Sequence, residues 1–394
     1  MIKKAILVTS FLFPLLLYGQ VSENLLTGGE VFPKDYLIKV PTERVRNLMV
    51  IKVLVGGHTC RFLVDTGAPT VITNKLYNQL KTEKFGSLLV HDQSAIADSV
   101  PVVRIKALTI QGVTFSGVSS LVLTTNNLLF DCYEIDGIVG ANLLRNCAIE
   151  FKQDESCVTI TSNPKNLNMS RRNAQKLQLS IQGCPYVWVN VSHENKRQIQ
   201  ALFDTGMDGL FDLNKESHCE LRNVKLYKTQ AVSVGSSSFG MFGSALADTT
   251  HRLLFPTLSF KGLSLNNVRG ATTKGNTRVG MELLKYADVT IDFINKRLYV
   301  FPKAEKVRDA YEKDIPLDYT YINGKLQVGY VWDSALADSV AVGDHIVEIN
   351  GVDTRNVDPC KMVRREVVPL NGSNIVITTI NKRGETVKLI FKKE

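Results

Sequence analysis

The chain has 394 residues, of which 44% are hydrophobic and 22% charged, and it carries a net charge of +9. This length predicts two or three domains, and the composition is that of a globular protein, which excludes a disordered or fibrous chain. The basic residues are dispersed, with no arginine- and lysine-rich run interleaved with aromatics, so no nucleic-acid partner is expected. No two of the six histidines stand at helical ligand spacing, and Cys60, Cys132, Cys147, Cys157, Cys184, Cys219 and Cys360 show no paired metal-ligand pattern. Neither a metal nor a cofactor is therefore expected.

The first twenty residues have the make-up of a signal peptide. Lys3 and Lys4 give a positive start, and Ala5 to Tyr18 are nearly all apolar. That run is short for a membrane span, which needs roughly twenty apolar residues. Cleavage is expected near Gly19 to Val21, with an uncleaved anchor as the other reading. The first cysteine is Cys60, so no lipid-modified N-terminus is expected. No later run is long enough to span a bilayer, and the mature chain is expected in a periplasm or secreted from the cell. Export permits disulfides. The seven cysteines show no disulfide framework, an odd count leaves at least one thiol free, and the default is a set of small buried hydrophobes.

Residues 21–47 read as a leader. Leu48 to Val55 is an apolar strand, Gly56-Gly57 a tight turn, and Thr59 to Val64 the returning strand. That strand runs into Asp65-Thr66-Gly67. A hairpin over Leu88 to Val103 is either a mobile cover or an ordinary exposed turn. Ile135-Asp136-Gly137-Ile138-Val139-Gly140 follows, then Ile149-Glu150-Phe151. The polar stretch from Asn163 to Arg172 reads as a connection.

The pattern then recurs. Tyr186 to Val191 alternates as a strand, Ser192 to Lys196 turn, and Gln198 to Phe203 lead into Asp204-Thr205-Gly206. Ala231 to Val234 with Gly235 to Gly240 make a second hairpin, open to the same two readings of mobile cover or ordinary exposed turn. Thr277-Arg278-Val279-Gly280 and Ile291-Asp292-Phe293 come after it. Gly67 and Gly140 are 73 positions apart (140 − 67), and Gly206 and Gly280 are 74 apart (280 − 206). Val139-Gly140-Ala141-Asn142-Leu143-Leu144-Arg145 answers Val279-Gly280-Met281-Glu282-Leu283-Leu284-Lys285. Such spacing indicates an internal duplication.

The residue types fit one chemistry. Two carboxylates about 3 Å apart cannot both ionise and so share a proton. One can act as general base on a water while the other donates to a carbonyl. Thr66 and Thr205 can hydrogen-bond the backbone of the opposite turn, and Gly67 and Gly206 allow the sharp bend.

At these residues the chain resembles the pepsin- and retropepsin-type aspartic peptidases, which contribute one Asp-Thr-Gly from each of two lobes or subunits. Ala68 resembles the retropepsin pattern, whereas Met207 and Asp208 depart from both. Asp208 is expected to point to solvent or to cap its turn. The resemblance implies a mostly β protein of two tandem aspartic-protease-like β-barrel lobes (21–165 and 166–305) in a pseudo-twofold relation. Asp65 and Asp204 are the implied catalytic pair, supported by Thr66, Gly67, Thr205 and Gly206. The substrate is an extended peptide or protein, and one chain suffices as a monomer, with pairing of each lobe across two chains as the competing arrangement.

Lys303 to Lys313 reads as a charged linker or short helix. Beyond it, Gly343-Asp344-His345-Ile346-Val347-Glu348-Ile349-Asn350-Gly351 resembles the run that marks a PDZ domain. The resemblance implies an α+β unit over 306–394, with a helix within Asp358 to Val367 and a last hairpin from Ile375 to Phe391. Such domains take a peptide C-terminus as an added strand. Lys325 to Gly329 would receive its carboxylate, although the segment departs from the usual Gly-Leu-Gly-Phe-like loop. The unit serves otherwise as a spacer or lid. The function these features imply is that of an exported aspartic endopeptidase. The alternative is a weakly active or inactive peptide-binding pseudo-peptidase.

Overall fold

The computed structural model describes residues 24–124, 127–167, 169–192, 197–237, 239–303, 307–311, 315–364, 366 and 374–392. The expected signal peptide and the turn at 193–196 lie outside the described residues.

The chain is mostly β. Each Asp-Thr-Gly lies at the end of a strand that is threaded by a later one. The strand His58–Asp65 pairs in parallel with Gly137–Gly140, setting Asp65 beside Gly140. The short strand Val71–Thr73, just past the turn, pairs with the other edge of Gly137–Gly140. Gln198–Phe203 pairs in the same way with Arg278–Val279, whose other edge takes Phe211–Asn214. A Cβ on Gly140 would overlap the backbone of Pro69, and one on Gly280 would overlap the carbonyl of Gly209. The apolar-Gly signature is thus a space requirement where one strand passes against a turn.

The expected hairpin strands form. Leu48–Val55 runs antiparallel to His58–Asp65, and Pro185–Asn190 runs antiparallel to Gln198–Phe203. Their apolar, β-branched residues fill a common core that includes Ile51, Val53, Phe62, Val64, Val187, Val189, Ala201 and Phe203. Beneath the two turns lies an antiparallel six-strand array in the order Leu37–Val45, Cys157–Thr161, Ala148–Phe151, Ala287–Asp292, Arg297–Pro302, Ala174–Leu179. At its centre Ile149 stands opposite Ile291, so the first residues of the two matching tripeptides pair across the array.

Two sequence expectations are corrected here. Residues 21–47 are more than a leader, because Leu37–Val45 bridges Cys157–Thr161 and Leu48–Val55. In that strand only Val40 and Val45 are buried, so its pattern reads as polar. The segment read as a linker or short helix contains the strand Val307–Asp309, paired in parallel with Ser264 to Asn266. Pairing to a neighbouring strand outweighs its local preference.

The described residues of 315–364 and 374–392 form a separate α+β layer. The strands Leu317–Ile322, Lys325–Val331, His345–Ile349, Asn374–Ile380 and Thr386–Lys392 follow one another in that order, around a core of their own that includes Leu326, Val328, Ile346, Ile375 and Met362. The expected helix is formed over Pro359–Val363, with the Asp358 carboxylate accepting from the Cys360 amide at 2.9 Å. Lys325 to Gly329 is strand rather than an open receiving loop, and the Gly329 carbonyl accepts from the Ser236 amide at 3.1 Å.

The layer is fastened on two sides. Cys132 and Cys360 form a disulfide, and Arg364 Nη1 donates to the Cys132 carbonyl at 2.9 Å. On the other side the Tyr330 hydroxyl bonds Thr250 Oγ1 at 3.0 Å, and the Val331 amide donates to Ser233 Oγ at 3.1 Å. The default reading of the cysteines thus holds for Cys60, Cys147 and Cys184, which are buried free thiols, but not for the disulfide-bonded Cys132 and Cys360, the half-buried Cys157 or the exposed Cys219.

Candidate active site

The two Asp-Thr-Gly turns meet, and their threonines interlock. The Thr66 amide donates to Thr205 Oγ1 at 2.9 Å, and Thr205 Oγ1 donates to the Val64 carbonyl at 2.9 Å. In reverse, the Thr205 amide donates to Thr66 Oγ1 at 3.2 Å, and Thr66 Oγ1 donates to the Phe203 carbonyl at 2.6 Å. Both threonines are completely or almost completely buried. Each hydroxyl therefore joins the opposing turn by one donated and one accepted bond, and the spacing of the turns follows from four short contacts.

Within each turn the glycine amide holds the carboxylate. Gly67 N donates to Asp65 Oδ1 at 2.8 Å, and Gly206 N donates to Asp204 Oδ1 at 3.0 Å. A Cβ on Gly67 would overlap the Asp204 carboxylate, and one on Gly206 would overlap that of Asp65. All six residues singled out in the two triplets are brought together. Burial, followed by the charge of Asp204, pushes Asp65 well above the usual carboxylate range, against the opposing effects of the Gly67 amide and Arg278.

Sequence reasoning missed a cation. Arg278 Nη1 lies 3.1 Å from Asp204 Oδ2, and its Nη2 lies 2.6 Å from Asp212 Oδ2. Burial alone would lower the guanidinium, but Asp212 and Asp204 hold it above its ordinary value. The equivalent places beside the other turn are apolar: Ile138 pairs with Leu63 and Val71, where Arg278 pairs with Leu202 and Asp212. The available signal was this break in the repeat, an arginine standing where its counterpart is isoleucine.

Asp208 corrects another expectation. It neither points free to solvent nor caps its turn; its carboxylate pairs with Arg46 at 2.6 Å, and its carbonyl accepts from Asn47 Nδ2 at 2.7 Å. A third carboxylate near the pair is thus neutralised by a cation from the residue 21–47 segment. Met207 is buried, and its carbonyl accepts from the Met281 amide at 2.8 Å.

The dyad opens into a cavity of about 700 Å³ walled by Leu63, Leu89, Phe130, Ile138, Leu202 and Arg278, among others. The two sequence hairpins differ in their relation to it. The first, formed by Lys84–His91 and Ala97–Ile110, lines it with residues 89–93 and Ala95. Its tip is held across the cavity: Asp92 Oδ2 accepts from the Phe242 amide at 3.2 Å, and Gln93 Nε2 donates to the Asn276 carbonyl at 3.1 Å. The second, formed by Lys228–Gly235 and Asp248–Phe260, leans on the C-terminal layer through Ser233, Ser236 and Thr250. No cluster of three or more metal-ligating side chains occurs among the described residues.

Residues 51–143 match the aspartyl protease family. Among solved structures, basic 7S globulin from soybean is similar at 12% identity and a TM-score of 0.38, over 69% of this chain and 96% of that one. A retropepsin-like aspartic protease from Rickettsia conorii is similar at 18% identity and a TM-score of 0.23, over 34% of this chain and 92% of that one. None of the curated proteins matches the sequence. No helix among the described residues is long and apolar enough to cross a membrane.

Proposed function

We propose that this chain is an exported aspartic endopeptidase with Asp65 and Asp204 as its catalytic pair. The observation that carries the reading is the interlocked meeting of the two Asp-Thr-Gly turns, which sets each carboxylate against the glycine of the opposite turn. Asp65, whose carboxyl is pushed up by burial, holds the proton and donates it to the substrate carbonyl. Asp204 takes a proton from a water bound between the two, and that water attacks the carbonyl carbon. The resulting tetrahedral diol collapses as the amide nitrogen receives a proton and the C–N bond breaks. The shared apolar walls and polar floor of the cavity suit an extended peptide.

In this reading 21–165 and 166–305 are two lobes in a pseudo-twofold relation, and 306–394 is a PDZ-like unit. The matching strand pairings around the two turns support the first assignment. For the second, Asp344 accepts from the Ala341 amide at 2.8 Å, and Asn350 Oδ1 accepts from the Val376 amide at 2.8 Å, so the marked run is a structural corner. A peptide C-terminus docking at that unit would compete with Ser236 for the Gly329 carbonyl. Because one chain supplies both carboxylates, a monomer suffices. Export to a periplasm or beyond the cell rests on the first twenty residues and is supported by the disulfide.

A pseudo-peptidase is the second reading, favoured by the ion pair of Arg278 with Asp204, which occupies one oxygen of that carboxylate. Incubation of the full chain with a mixed peptide library, read by mass spectrometry, separates the two. Cleavage that disappears in Asp204→Asn supports the peptidase. Peptide retention without cleavage, or cleavage that survives the substitution, removes it.

A further inference from the structure

We infer that Arg278, held in place by Asp212, is a positioning residue that decides which of the two carboxyl groups carries the charge, keeping Asp204 anionic and leaving the shared proton on Asp65. The inference rests on the peptidase reading for its catalytic meaning, but the charge arrangement itself is a property of the folded chain.

Two identical turns with identical surroundings would hold a shared proton equally on either side. The interlock of Thr66 with Thr205 and the glycine amides treats the two carboxylates alike. Symmetry is broken two residues before each threading glycine. There Ile138 and Val71, both buried, are replaced by Arg278 and Asp212. The guanidinium reaches Asp204 with one nitrogen and Asp212 with the other, so its planar fork bridges the dyad to an anchor on the adjacent strand. The Arg278 side chain is 16% exposed and that of Asp204 is 9% exposed, so water screens this contact little.

Other ionisable groups around the pair do not reproduce this bias. Asp208 is neutralised by Arg46. Burial pushes Cys184 up to about 12 and also raises Tyr186, so both are neutral where the carboxyl pair titrates. His91, Asp92, Glu216 and Lys274 line the same cavity, but the cation in ion-pair contact with Asp204 is Arg278.

A cation beside the pair opposes every proton added to it, so both proton steps of the pair fall at lower pH than they would without it. The sign of each substitution follows. Arg278→Ile with Asp212→Val copies the apolar pair of the other side, leaves no orphan charge, and moves both steps to higher pH by about one unit or more. Asp212→Asn keeps an acceptor for Nη2 but removes the competing negative charge, and moves both steps to lower pH. Arg278→Lys keeps the charge and stays near the wild-type position.

The experiment is a carbon-13 carboxyl titration of the full chain by NMR, with Asp65→Asn and Asp204→Asn used to assign the pair, alongside the pH profile of kcat/KM. Opposite displacements in the double variant and in Asp212→Asn are expected in both readouts. If the double variant fails to fold, the downward shift of Asp212→Asn and the neutral result of Arg278→Lys still decide. Unmoved titrations in folded variants, or a lysine variant displaced like the apolar one, overturn the inference. Displaced titrations in a chain that cleaves no peptide keep this inference and discard the peptidase reading.

Discussion

Replacing Thr205 by valine tests whether the threonine interlock, and not the surrounding sheet, holds the two turns together. Valine has nearly the same shape, so the substitution removes hydrogen bonds with little change in packing. Two contacts are lost: the donor to the Val64 carbonyl and the acceptor for the Thr66 amide. Both orphaned groups sit in fully buried surroundings, where each costs about 1–3 kcal/mol, so a loss of about 2–6 kcal/mol is expected. Thr205→Ser keeps the hydroxyl and deletes one methyl, for about 1 kcal/mol. The assay is denaturant unfolding of the full chain, with peptide hydrolysis alongside, since displacing a catalytic group by an ångström can lower the rate by about 10²-fold. Because Thr66 and Thr205 share contacts, their valine variants should be non-additive by more than about 0.5 kcal/mol in a double-mutant cycle. A valine variant within about 0.5 kcal/mol of wild type, or a serine variant equally destabilised, would refute the interlock as the source of the spacing.

Two further outcomes follow from the same geometry. A carboxyl whose folded-state pKa is raised binds its proton more tightly in the native chain, so its contribution is present at low pH and lost as pH rises through the raised value. Asp65→Asn removes this liability while keeping an acceptor for the Gly67 amide, and should melt higher than wild type at neutral pH, with the difference vanishing below about pH 4. A melting difference that grows on acidification would contradict the buried proton on Asp65. Replacing Cys132 and Cys360 by serine opens a loop of sequence separation 228, worth about 5 kcal/mol in chain entropy as an upper figure. Hydrogen exchange should then rise at Pro359–Val363 and Leu128–Cys132 more than at Leu48–Val55; uniform exchange would show that the disulfide does not fasten the C-terminal layer.

Much of the site was legible along the chain. The strands that deliver Asp65 and Asp204 are short apolar runs bounded by turns, and such patterns are local, as are the glycines demanded by close approach. The spacing between each triplet and its later glycine recorded the threading of one strand against another, because both copies need the same length of chain to return. Even the meeting of Ile149 and Ile291 at the centre of the lower array was foreshadowed by their matching tripeptides.

What the tertiary structure alone decided is the difference between the copies. Arg278 reaches a carboxylate 74 positions away, Arg46 one at Asp208, and Cys132 a partner 228 positions away. The tip of the first hairpin lines the cavity and is bonded to Phe242, whereas the second hairpin is also held by the C-terminal layer while Gly240 and Met241 of its loop reach the cavity. Charges and thiols have no periodicity to betray their partners. Their pairing depends on which loops the packed sheets bring within a few ångströms, and folding a repeated pattern brings different residues to each of its two faces.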